Sequence, residues 1–239
     1  MLGTTGTFNQ CSLFPEDLSI WEASHLSMPD FKKQQFQQYI DSLGKASAEA
    51  QKLNTPITTF TKLITQNDAV LFVYSINKTP VGFLKSASRH LFLCKEGVLT
   101  EVDPICCLDF YVSKQRQGTG KLLFDGFLNY YCTTPQAVAY DRPSPKLLSF
   151  LQKYFALSQP IPQANAFTVF PDFWLFNTPY NRNRRRNLPS SLDGRPLTAK
   201  DRKPCNHNRS NRSVSNHSVF DVLNLPYFSR LSYQRAGRI

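Results

Sequence analysis

The segment Gln115-Arg116-Gln117-Gly118-Thr119-Gly120 stands between an apolar run, Ile105–Val112, and a helix-forming stretch that begins at Lys121. Glycines one residue apart let a backbone approach a ligand closely, and a helix N-terminus presents unpaired N–H groups at the positive end of its dipole. A pyrophosphate needs that combination of dense donors and uncrowded backbone. Gly-x-Gly by itself also describes an ordinary tight turn into a helix. The buried strand before it, the Gln-Arg pair and the β-α unit after it favour the anion-binding reading.

Such a loop must be held by a strand on one side and a helix on the other. The run at 105–112 is apolar except for Asp109, as in a central strand covered on both faces. A helix is expected over 121–131, a strand over 137–140, a helix over 145–155 and a last strand over 166–170. Upstream, runs at 69–76, 81–86 and 90–94 read as strands, and Asn77-Lys78-Thr79-Pro80 makes a turn between the first two, so the pattern is an antiparallel meander. A long helix opens at Ser27-Met28-Pro29-Asp30, with a Ser-x-x-Asp cap, and aligns Phe31, Phe36, Tyr39, Ile40 and Leu43 on one face. It continues through Gly44 to Gln51 and ends before Asn54-Thr55-Pro56. Residues 1–26 supply at most an edge strand. Antiparallel strands followed by β-α-β-α-β describe an α+β fold with a mixed β-sheet flanked by helices.

The chain has 239 residues, 41% of them hydrophobic and 13% aromatic, which suits one packed domain with an extension. No stretch reaches the roughly 18 apolar residues of a membrane span, and the N-terminus lacks a basic start and an apolar core, so the expectation is a cytoplasmic protein without membrane insertion. Six cysteines show no C-x-x-C pair, which argues against a metal site or a disulfide framework and for free thiols. Of the formal net charge of +11, residues 180–239 carry +10, including Arg184-Arg185-Arg186. That region is dominated by Asn, Arg and Ser to residue 218 and cannot bury enough apolar area to offset its ordering entropy, so a disordered basic tail is expected.

Several further segments occur in one order: Ser42-Leu43-Gly44-Lys45-Ala46-Ser47-Ala48-Glu49-Ala50-Gln51, Pro56-Ile57-Thr58, Cys107-Leu108-Asp109-Phe110-Tyr111, Tyr140-Asp141-Arg142-Pro143-Ser144 and Lys146-Leu147-Leu148-Ser149-Phe150-Leu151. Together with the glycine loop they resemble the α-tubulin N-acetyltransferase family of the N-acetyltransferase superfamily, over about residues 8 to 176. The resemblance implies a catalytic domain over 1–176, a basic and mostly disordered tail over 177–239, acetyl-CoA as co-substrate and no metal. It implies transfer of an acetyl group to a lysine of α-tubulin within microtubules, in a ternary complex, with nucleic acid not expected as a partner and an association with the cytoskeleton.

The same resemblance places catalytic roles on Gln51, Cys106 and Asp141. It places cofactor contacts on Phe110, Tyr111, Val112, Ser113, Lys114, Gln115, Arg116, Gln117, Gly118, Thr119, Gly120 and Lys121, and on a second wall of Ser144, Pro145, Lys146, Leu147, Leu148, Ser149, Phe150, Leu151, Gln152 and Lys153. Ile57, Lys62, Arg89, His90 and Phe92 fall on the family's substrate-facing surface. In two respects other readings stay open. Cys106 is equally a buried core thiol, and Asp141 equally a cap for the helix after Ser144. The turn from Val112-Ser113-Lys114 into Gln115 is shorter than the family's, which bears on the strand bulge expected beside the loop. Two other functions are compatible with these residues: an N-acetyltransferase of the same fold acting on a different amine, and a catalytically weak microtubule-binding protein that uses the tail as a tether.

Overall fold

The computed structural model describes residues 13–177 and the two-residue strand Leu197–Thr198, all within one compact unit, Met1–Cys205. In chain order the elements are β1 (Asp17–Trp21), α1 (Asp30–Gln51), α2 (Phe60–Thr65), β2 (Val70–Ile76), β3 (Thr79–Ser88), β4 (Leu91–Lys95), β5 (Val98–Val102), β6 (Ile105–Val112), α3 (Thr119–Tyr131), β7 (Ala139–Asp141), α4 (Pro145–Phe155), β8 (Ile161–Pro162), β9 (Phe167–Val169), α5 (Phe173–Phe176) and β10 (Leu197–Thr198). Eight strands form one sheet in the order β10-β1-β2-β3-β6-β7-β9-β8, and β4 and β5 form a separate hairpin. β6 against β7 is the parallel pair, and the other ladders are antiparallel. The mixed α+β architecture is the one expected. Beyond Asn177, the expected disordered tail lies outside the described residues except for β10, which adds an edge to β1.

Strand alternation sorts the core onto two faces of this sheet. On one face Leu18, Ile20, Phe72, Leu84 and Cys107 meet Leu123, Phe124, Phe127 and Tyr130 of α3 and Leu151 of α4. On the other, Trp21, Leu71, Val73 and Phe83 meet Phe36 and Ile40 of α1 and Phe60 and Leu63 of α2, while Ala87, Cys106 and Leu108 pack with Leu91, Leu93, Val169 and Phe173. Helix α1 begins after Pro29, whose side chain makes no cap, so the expected Ser-x-x-Asp cap is absent. Local sequence proposes a cap there, but Pro29 already ends the extended segment in a geometry that leads into the helix. Its far end is closed by Lys52 in the left-handed conformation. Helix α3 starts at Thr119, two residues before its expected start. Cys94, Cys106 and Cys107 are free thiols, whereas Cys132 is disulfide-bonded, against the expectation of free thiols throughout.

Two irregularities shape β6. The β3–β6 register runs from Asp109 opposite Lys85 to Cys107 opposite Ser86, so Leu108 is an extra residue in a β-bulge. Leu108 therefore packs on the same face as Cys106, and Asp109 reaches α1 on that face as well, while Cys107 and Phe110 turn to α3 and α4. Without the bulge, alternation would aim Asp109 at the apolar α3 core. The bulge is present despite the short turn before Gln115.

Gly44 lets α1 approach the loop that carries Ile57 and Thr58. A Cβ at position 44 would fall 1.9 Å from the backbone oxygen of Thr58. Gly44→Ala should therefore lower stability by about 1–3 kcal/mol even though alanine is the better helix former. Denaturant melts of the two proteins, read by the same probe, check this; equal midpoints would mean the close approach is unimportant.

Candidate active site

β6 is paired with β3 along its whole length, but β7 pairs with it only at Cys106–Ala139 and Cys107–Tyr140. From Leu108 to Val112 the other edge of β6 has no strand neighbour among the described residues, so its backbone N–H and C=O groups border a gap. A strand edge left open inside a domain needs a ligand or water to satisfy it. The gap runs to the loop Ser113–Gly118, where Arg116 and Gly118 both have positive φ, 64° and 83°. The N–H groups of Gly118, Thr119 and Gly120 find no protein acceptor among the described residues. Gly118 caps α3 without a side-chain bond, and no acidic residue occupies the first turn. Uncapped donors, an uncompensated dipole and a left-handed backbone together make a nest for an anion.

Gly118 is required by its φ, since a side chain is strained there. Gly120 is different: an added Cβ would meet Phe110, Phe150 and Val112 at 3.4–3.7 Å, ordinary contact distances. The protein's own packing has room for a methyl group at Gly120, so what its bare backbone serves is close approach from outside. A cavity of about 300 Å³ opens beside the loop, lined by Ile76, Asn77, Val81, Val112, Lys114, Gln117 and Thr119. At the start of α4, Ser144 caps the helix by accepting from the Leu147 N–H, so Asp141 is not the helix cap. Phe110 contacts Phe124 of α3 and Phe150 of α4. Not every residue of the expected second wall is free to reach a ligand: Leu151 is fully buried, and Ser149 donates to the Pro145 carbonyl. Lys121 is engaged by Asp125 and lies over Phe155.

On the opposite face of β6 is a buried polar cluster. Asp109 is 5% exposed, and its carboxylate accepts from Ser47 Oγ (2.8 Å), Gln51 Nε2 (3.0 Å) and Thr58 Oγ1 (2.7 Å). Lys85, its cross-strand partner, is 2% exposed. Burial raises the Asp109 pKa, opposed by those three donors and by the Lys85 charge. Burial lowers the Lys85 pKa to about 8, opposed by the Asp109 charge. Of this group only Gln51 was singled out by the sequence; Asp109 was readable as the one acidic residue in an apolar strand, and Lys85 as a lone cation between Leu84 and Ser86.

Gln51, Cys106 and Asp141 lie on one face of the sheet, but they are not equivalent. The Cys106 thiol is fully buried, donates weakly to the Pro104 carbonyl, and has its pKa pushed far up by burial. It is a neutral thiol in this protein. Asp141 ends β7 where the strands part, and its carboxylate pairs with the exposed Arg142 at 2.9 and 3.1 Å. On the expected substrate surface, Ile57 is half-buried and Phe92 is 51% exposed. The basic side chains there have partners: Arg89 pairs with Asp68, His90 lies against Glu101 and Asp103, and Lys62 donates to the Pro56 carbonyl.

Residues 7–200 match the family model described as GNAT acetyltransferase, Mec-17. The chain belongs to this family. The matched segment extends past residue 176 and takes in β10. Among Mec-17 relatives, an alpha-tubulin N-acetyltransferase 1 of Danio rerio is 41% identical over 178 residues, covering 68% of this chain and 59% of that protein. An alpha-tubulin N-acetyltransferase of Tetrahymena thermophila is 37% identical over 171 residues, 70% of this chain and 43% of its own length. One from Phytophthora infestans is 42% identical over 155 residues, 56% of this chain and 87% of that protein. The chain therefore spans about half the length of the first two.

The buried pair at this site sets a titration. Lys85 should lose its proton near pH 8, where an unfolded lysine still holds it. Because the unfolded state binds more protons between about pH 8 and the ordinary lysine value of about 10.4, this residue costs stability below that window and the cost falls as pH rises through it. The Lys85 side-chain resonances, followed by NMR against pH, should show the midpoint; one above 10 would contradict the assigned environment.

Proposed function

We propose that this chain transfers the acetyl group of acetyl-CoA to the side-chain amine of a lysine of α-tubulin in microtubules, by direct attack within a ternary complex. The observation that carries the reading is the junction of two features: the gap where β6 leaves β7, and the uncapped donor nest at the start of α3. The first accommodates an extended chain along an open strand edge; the second accommodates a pyrophosphate. The acceptor is inferred from the names of the relatives, and with it a place among cytoplasmic, microtubule-associated proteins.

When bound, acetyl-CoA supplies a thioester carbonyl carbon open to a neutral amine, with the CoA sulfur as leaving group. The protein's tasks follow from that. Gly118 to Gly120 hold the pyrophosphate through backbone N–H groups. The free edge of β6 from Leu108 to Val112 aligns the pantetheine arm, and Phe110 with Phe150 excludes water beside it. A lysine with pKa about 10.4 arrives protonated and must lose one proton before its nitrogen can attack. Asp141 takes that proton: its carboxylate is at the mouth of the gap, whereas Cys106, being a neutral buried thiol, supports β6 by packing. As the new C–N bond forms, the C–S bond breaks, and the thiolate leaves and takes up the second proton that the nitrogen sheds in becoming an amide.

With polymerised tubulin and acetyl-CoA, Asp141→Asn should lower kcat by about 10²–10⁴-fold while leaving acetyl-CoA affinity near that of the unmodified protein. Cys106→Ala should keep kcat within a few-fold. The reverse ranking would move the base to Cys106, and no transfer by the unmodified chain would overturn the reading. Gly118→Val should weaken acetyl-CoA binding in calorimetry by at least about tenfold, because a β-branched residue resists positive φ and its side chain crowds the nest; unchanged affinity in a folded variant would remove the loop from the cofactor site.

A further inference from the structure

Gln51 ends α1, and Ser47 is one helical turn before it, so both side chains reach the same point on β6. Gln51 Nε2 donates to Ser47 Oγ at 2.8 Å and to Asp109 Oδ1 at 3.0 Å. The Ser47 hydroxyl has a single hydrogen, and it is committed to Asp109 Oδ1 at 2.8 Å. Ser47 therefore faces Gln51 with a lone pair, and Asp109 Oδ1, which already accepts from Ser47, faces it as an acceptor too. Both neighbours demand N–H groups from Gln51, and only the NH₂ end of its amide can satisfy them. The amide orientation follows from these acceptors: turning the amide over would lose two hydrogen bonds and press its carbonyl oxygen against two acceptor oxygens.

The consequence is at the other end of the amide. Oε1 has no protein donor among the described residues, and Gln51 is only half-buried while Ser47, Thr58 and Asp109 are buried. Thr58 Oγ1, held close by the Gly44 contact, occupies Oδ2, so the carboxylate cannot swing away from Gln51.

We propose that Asp109 is a positioning residue, which through Ser47 locks the Gln51 amide so that its carbonyl oxygen is presented as a hydrogen-bond acceptor to the incoming amine. This rests on the acetyl-transfer reading above. An arriving ammonium has three N–H groups; one donated to Asp141 and one to Gln51 Oε1 orient the nitrogen before its lone pair is released. A reversed amide would offer N–H to N–H and push the amine away.

The test is a double-mutant cycle in the full chain, assayed with polymerised tubulin and acetyl-CoA. Asp109→Asn offers an NH₂ group to Gln51, whose amide then turns its oxygen inward. Turnover should fall about 10- to 100-fold, the worth of a hydrogen bond to a charged group, with KM for acetyl-CoA within about twofold. Gln51→Glu alone should fall similarly, since two carboxylates would face each other. The Asp109→Asn/Gln51→Glu pair should recover at least about tenfold over either single variant, because the carboxylate introduced on α1 can accept from the new NH₂ and still present an oxygen outward. Losses that simply multiply would mean Asp109 is structural only and would overturn the proposal. Should Asp109→Asn fail to fold in a thermal melt, Ser47→Ala replaces it: kcat should fall about 3- to 10-fold at unchanged KM, and unchanged kcat overturns the proposal. NMR separates the two readings. The Gln51 side-chain NH₂ signals should exchange slowly with water and lose that protection in Ser47→Ala whether or not the chain acetylates tubulin. A freely exchanging Gln51 amide would refute the positioning role, while a protected amide with no acetyl transfer would refute the functional reading instead.

Discussion

β6 and β7 are held together by two residue pairs, Cys106 with Ala139 and Cys107 with Tyr140, and then part. The rest of the site depends on that separation. A parallel pair that continued to Val112 would satisfy its own backbone and leave nothing for a ligand. Because the strands diverge, the edge of β6 from Leu108 onward stays open in the middle of the sheet. The same divergence aims the end of β6 at the Ser113–Gly118 loop and leaves Asp141 at the mouth of the gap. Aromatic packing keeps the walls apart: Phe110, Phe124 and Phe150 contact one another at ring separations of 5.3–5.9 Å, so α3 and α4 cannot collapse into the opening.

The bulge at Leu108 is the second device on this strand. It places Leu108 and Asp109 on one face, which takes a carboxylate out of an apolar core and delivers it to α1. Burying Asp109 and Lys85 costs solvation, and the cost is visible in the direction of both pKa shifts. It is offset by three hydrogen bonds to the carboxylate and by the opposite charge across the strand pair. Such a cluster is expensive for stability and specific in geometry, because every donor has one place to go. The close approach at Gly44 belongs to the same arrangement, since it brings Thr58 to the second carboxylate oxygen.

Much of the site could be read in one dimension. The glycine loop was legible because Gly-x-Gly between a strand and a helix states a local backbone requirement, and Gly118 meets it with φ +83°. The strand run at 105–112 and the helix at 145–155 were legible from apolar pattern and from the Ser-Pro start of α4. Short elements such as α2, β5, β8 and α5 were not, since a handful of residues holds too little periodicity to distinguish a helix or strand from a loop. The pairing of Arg89 with Asp68, and of His90 with Glu101 and Asp103, was not legible either, because the partners lie apart in the chain.

What the sequence determined by itself was the family, the order of the longer elements and the glycine turn that opens α3, because each depends on residue types within a few positions of one another. Tertiary structure alone separated the surroundings of the carboxylates. Asp109 and Asp141 look alike in a sequence, but a one-residue bulge buries the first among hydroxyls and an amide, and the parting of two strands leaves the second at an opening. Cys106 was separated from Asp141 by the same means: packing on both sides of β6 removes its thiol from water and keeps it neutral. Desolvation depends on every element that closes around a group, and those elements come from distant parts of the chain, so no local pattern can report it.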